Sequence, residues 1–153
     1  MDSATQPAVQ FALLGCGLFF ITGLVTGIWK YRSIATSPDA KAPVYVDICH
    51  RTALMYTFAC LVLAEFARLS VWSPMINTVA VIVPIVFFAS AVASYALHGI
   101  LRDTDNQLER PHRIGQHQIH SAAMSVYIYA LIAGELGGFL VLFAGFLKPL
   151  VSV

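Results

Sequence analysis

Four stretches of this chain are too long and too uniformly apolar to be the buried core of a soluble protein of 153 residues. Between Phe11 and Trp29, nineteen consecutive residues carry no charge, and Val71–Leu101 holds no Asp, Glu, Lys or Arg and a single histidine, His98. About 20 apolar residues in a helix, rising about 1.5 Å each, cross the roughly 30 Å of hydrocarbon in a bilayer. The run between Arg51 and Arg68 is broken only by Glu65, and Ser121–Leu147 only by Glu135. The whole chain is 58% hydrophobic and 11% charged, where a soluble chain carries about 25% charged residues. The expectation is an all-α integral membrane protein whose first partner is the lipid bilayer. Its helices are predicted near 9–30, 45–70, 75–101 and 117–147, in one transmembrane domain spanning 1–153.

Charge placement sets the expected orientation. Of the nine Lys and Arg residues, Lys30, Arg32, Lys41, Arg51, Arg102, Arg110 and Arg113 fall at the loops joining helices 1–2 and 3–4; Arg68 and Lys148 fall at the other side. Basic residues accumulate on the cytoplasmic side, so loops 31–44 and 102–116 are expected inside and both termini outside, with a bacterial inner (plasma) membrane as the location. The first ten residues carry Asp2 and no Lys or Arg, and the run that follows is longer than a signal h-region, which predicts a retained helix. No basic cluster interleaved with aromatics is present, which excludes nucleic acid as a partner. Cys16, Cys49 and Cys60 are odd in number and contain no CxxC pair, so they read as small buried hydrophobes.

The chain also reads as two repeated helical hairpins. A shift of 70 residues places His50 on His120, Ala53 on Ala123, Leu61 on Leu131 and Glu65 on Glu135; a shift of 68 places Phe19-Phe20 on Phe87-Phe88 and Thr26 on Ser94. The expected fold is a four-helix bundle with a pseudo-twofold axis along the membrane normal. Small residues on helices 1 and 3 suit close packing in lipid.

Ionisable groups inside a membrane are costly and mark functional sites. His50 and His120 are expected one turn inside helices 2 and 4, preceded at i−3 by Asp47 and His117, so that each pair shares a helix face. Three readings follow. One or both of His50 and His120 bind haem iron; or Asp47, His50, His117 and His120 ligate a bare transition metal; or these residues make hydrogen bonds at the headgroup interface, where His98 and His112 are also expected. Glu65 and Glu135 lie about 22 Å farther along their helices; they share a proton across the axis, or hold helices together, with Arg68 as an i+3 ion-pair partner for Glu65. Tyr56, Tyr95 and Tyr127 each require a partner for a phenol inside a span.

Phe19-Phe20-Ile21-Thr22-Gly23-Leu24 in helix 1, a proline-containing loop, His50 early in helix 2 and Tyr95 late in helix 3 together resemble the small four-helix membrane family of styrene oxide isomerase and hydroxylaminobenzene mutase. That resemblance implies haem b ligated by His50, Tyr95 beside a small hydrophobic epoxide-like substrate, and isomerisation to a carbonyl by a ferric Lewis acid in an oligomer. Tyr56 stands where the isomerase has an asparagine, and so joins Tyr95 as a candidate catalytic group. Two other functions fit the sequence: a b-type electron carrier with His50 and His120 as axial ligands, and a cofactor-free structural subunit of a membrane complex.

Overall fold

The computed structural model describes residues 6–151, and four long helices dominate it. Helix α1 (Pro7–Ala35) opens on a proline in its first turn, where a missing N–H costs nothing. It runs five residues beyond the predicted end. Lys30, Tyr31 and Arg32 continue it, and it stops only ahead of Pro38, which disfavours helical backbone in the residue before it. Helix α2 (Val44–Leu69) starts directly after Pro43. Helix α3 (Pro74–Leu101) is capped by Ser73, whose hydroxyl accepts from the Ile76 N–H, and ends where Arg102 turns left-handed at φ 51°. Helix α4 spans Ser121–Val151. All four are long and apolar enough to cross a membrane, so the chain is an integral membrane protein. An even number of crossings puts the start of α1 and the end of α4 on one side.

The predicted start of the last helix, at 117, is corrected. Arg113–Ile114 (β1) and His117–Gln118 (β2) form a small antiparallel hairpin, pairing Arg113 with Gln118 and Ile114 with His117. Gly115, at φ +60°, supplies the positive φ that such a two-residue turn requires. His117 is therefore on a strand, and His120 precedes α4 rather than lying one turn inside it.

Packing follows the small residues. Against α1, a Cβ on Gly23 would come 2.5 Å from Leu54 Cδ2, and one on Gly27 would come 2.9 Å from the His50 ring. Between α3 and α4, Gly138 sits against Pro84 and the Ala80 carbonyl, and Gly134 against the Phe87 ring. Val9, Ala12, Phe19, Cys49, Ala53, Cys60, Val81, Phe88 and Leu142 form the core; Cys49 and Cys60 are buried thiols, as the sequence implied. Large apolar side chains point outward instead: Leu14, Ile21, Val25 and Ile28 on α1, and Val126, Ile132, Leu136 and Leu140 on α4. That inversion is what lipid as solvent allows. Helix α4 buries only Gly138, Leu142 and Gly145. It leans on α3 and meets α2 through Phe66, whose ring packs edge-on against Phe139, Phe143 and Phe146.

Candidate functional site

His50 is half-buried on α2, and its Nδ1 lies 2.9 Å from the Gly23 carbonyl oxygen. A carbonyl can only accept, so Nδ1 carries the proton, and in the neutral ring Nε2 keeps its lone pair. Gly27 leaves the room that the imidazole occupies. Nε2 makes no hydrogen bond among the described residues, yet no buried side-chain nitrogen there is left unpartnered. Nε2 is thus reached from outside the helix pair. A histidine whose second nitrogen donates to a backbone carbonyl is the arrangement that orients metal-ligating imidazoles.

The other residues of the expected site are not gathered around it. Asp47 is taken up by Lys30 at 2.6 Å and Arg51 at 2.8 Å. His117 is exposed on β2. His120 is exposed before α4, where its Nδ1 accepts from the Ala122 N–H at 3.2 Å; the neutral ring therefore carries its proton on Nε2 and has no lone pair left to give. No three His, Cys, Asp or Glu side chains among the described residues come close enough to hold a metal ion. The four-residue metal site is thus not assembled among the described residues.

The two glutamates also part company. Glu65 is exposed and pairs with Arg68 at 3.5 Å. Glu135 is half-buried and accepts from the Tyr56 hydroxyl at 3.3 Å. The Tyr56 ring stacks on Phe88 with centroids 4.1 Å apart, about 240° around α2 from His50. Tyr95 stacks on Tyr45, centroids 5.9 Å apart, and lies within electrostatic reach of Tyr127 and Glu135. Tyr56 therefore meets Glu135 on the α3 and α4 side of α2, Tyr95 meets Tyr45, and His50 turns to α1.

One constellation escaped the sequence reading. His98 and His112, expected at the interface, are both buried, 2% and 6% exposed. His98 Nδ1 lies 2.8 Å from Asp103, whose other oxygen accepts from the Gly115 N–H. The pair bolts the hairpin onto the C-terminal end of α3. It borders a cavity of about 360 Å³ where Ser90, Ser94, Gln107 and Tyr127 supply polar groups to an otherwise apolar lining. Only the reversal of the chain at Arg102 brings Asp103 back to His98, and no side-chain spacing announces that. Burial pushes the Asp103 carboxyl up, but hydrogen bonds from His98 and Gly115 outweigh it and hold the group below its ordinary value of 3.8.

A depressed carboxyl stabilises the fold above its ordinary pKa and stops doing so as pH falls through its lower folded value. Amide protection at Gly115 is therefore expected to stay constant from neutrality to about pH 5 and to fall only in stronger acid. Asp103→Asn should lower that protection about tenfold or more at neutral pH, the scale of a lost charge-assisted hydrogen bond. Hydrogen exchange followed by mass spectrometry measures both; unchanged protection in the variant would refute the bolt.

Compared with known proteins, the chain matches no family model, no curated protein and no solved structure.

Proposed function

We propose that this protein binds haem b through His50 Nε2 and isomerises a small hydrophobic, epoxide-like substrate. The observation that carries the reading is the bond from His50 Nδ1–H to the Gly23 carbonyl, which fixes the tautomer and leaves an imidazole lone pair facing outward at the α1–α2 seam. The residues present fit a single axial ligand: one neutral imidazole, oriented by a backbone acceptor, in the space that Gly27 leaves. Haem, when bound, supplies a ferric Lewis acid for an epoxide oxygen. The chain supplies the rest. His50 would hold the iron, Gly23 and Gly27 fix the ring, and the apolar helix faces would dissolve the substrate and exclude the water that would hydrolyse it.

Because His50 opens outward, a second copy of the chain is the natural second wall for a porphyrin, and a homo-oligomer forms part of the proposal. Tyr56, bonded to Glu135, and Tyr95, stacked on Tyr45, lie away from the His50 seam, so the resemblance's role for them beside the substrate does not carry over within one chain. The basic loops 31–44 and 102–116 face the cytoplasm of a bacterial inner membrane, with the termini outside. The electron-carrier reading needs a second axial ligand, and His120 has its Nδ1 engaged at the start of α4. Absorption spectra of the detergent-solubilised protein, produced with ample haem and recorded oxidised and reduced, test the reading. A Soret band of a five-coordinate or water-ligated ferric haem is expected; colourless protein overturns it.

A further inference from the structure

Among the described residues Glu135 is the one carboxyl carried into the middle of the helix packing, and its surroundings there supply no counter-charge. It lines a cavity of about 300 Å³ between α2, α3 and α4, together with Phe58, Pro84, Phe88 and Phe139. The groups near it from the packed helices are phenols: Tyr56 from α2, hydrogen-bonded to it, and Tyr95 from α3, within electrostatic reach; Tyr127, on its own helix, pairs with the Ser90 hydroxyl instead. Among the described residues no Lys, Arg or His pairs with it; the ion pairs formed there involve Asp47, Glu65 and Asp103. The Tyr56 hydroxyl donates one bond to Oε1. Phe58, which lines the cavity, is 69% exposed on the outer surface of the bundle.

An intramembrane carboxyl without a cationic neighbour either carries a proton or takes a cation from outside. The cavity's chemistry selects which cation. A small hydrated metal ion needs several oxygen ligands, and this lining offers a single carboxylate among apolar side chains. Aromatic rings attract a bulky, weakly hydrated organic cation, and Phe58, Phe88 and Phe139 line the cavity beside the carboxyl. We propose that this cavity is a binding site for a lipophilic organic cation, an aromatic or alkyl ammonium, which arrives from the bilayer and exchanges with a proton on Glu135. In that exchange the Glu135 carboxyl loses its proton to water, and the carboxylate so formed pairs with the incoming cation. The site is independent of haem and uses neither His50 nor its seam.

Benzyltrimethylammonium is a suitable probe because its charge does not titrate. Equilibrium dialysis of the detergent-solubilised wild type is expected to give saturable binding that strengthens as pH rises, with about one proton released per cation bound, as linkage requires. Neopentylbenzene, its neutral carbon analogue, should not compete. Glu135→Gln should abolish binding, whereas Glu65→Gln, on a surface glutamate, and His50→Ala should retain it. A wild-type measurement guards against a misfolded variant: dicyclohexylcarbodiimide should label Glu135, read by peptide mass spectrometry, and the cation should slow that labelling. The proposal is overturned by absence of saturable binding, by equal competition from the neutral analogue, by undiminished binding in Glu135→Gln, or by labelling that the cation leaves unchanged.

Discussion

His50→Ala is expected to yield a folded, four-helix protein without a Soret band, and His120→Ala one whose band is unchanged. The asymmetry comes from what each ring does with its two nitrogens. In His50 the Nδ1–H is committed to the Gly23 carbonyl, so the neutral ring has one free lone pair and one orientation. In His120 the Nδ1 lone pair accepts from the Ala122 N–H, so the neutral ring offers only an N–H. Loss of the proposed ligand would remove the absorbance outright, while a second-sphere change weakens metal affinity by roughly 10–100-fold. Gly27→Ala falls in the second class: its Cβ would stand 2.9 Å from the His50 Cε1, displacing the ring without deleting it, so weakened haem retention is expected. Circular dichroism of each variant separates lost ligation from lost fold. An unchanged band in His50→Ala sinks the ligation, and equal changes in both histidine variants restore the two-histidine electron carrier.

The spans were legible because bilayer thickness and hydropathy fix them without any tertiary information; α3 lies within one residue of the expected 75–101. The start of α4 was not, because His117 and His120 sit in a polar stretch whose fate depends on Gly115 turning a hairpin. The two halves share a hairpin plan, yet residues matched by the repeat behave differently. Glu65 lies next to solvent-facing Arg68, while Glu135 faces Tyr56. Sequence spacing cannot separate them, since the difference arises from which neighbouring helix each side chain meets. For the same reason His50 was readable as a special residue, but its partner, a backbone carbonyl 27 positions away, was not.

Two adjacent glycines on α4 offer the sharpest test of how the bundle is held. A Cβ at Gly138 would fall 2.6 Å from the Ala80 carbonyl oxygen and also strike the Pro84 ring. Neither obstacle is a flexible side-chain tip: one is backbone, and the other is a ring fused to the backbone of α3. Gly138→Ala must therefore force α3 and α4 apart, and overpacking of this kind costs about 1–3 kcal/mol. Because Gly138, Leu142 and Gly145 are the only buried residues of α4, the seam has little else to hold it. At Gly137 an added Cβ meets nothing within 4 Å, so Gly137→Ala loses no contact and gains the roughly 0.5–1 kcal/mol by which alanine exceeds glycine inside a helix. Thermal unfolding in detergent should thus move in opposite directions for two alanine substitutions one residue apart. Equal shifts for both would mean that α4 is not seated on Pro84 and that the α3–α4 seam lies elsewhere.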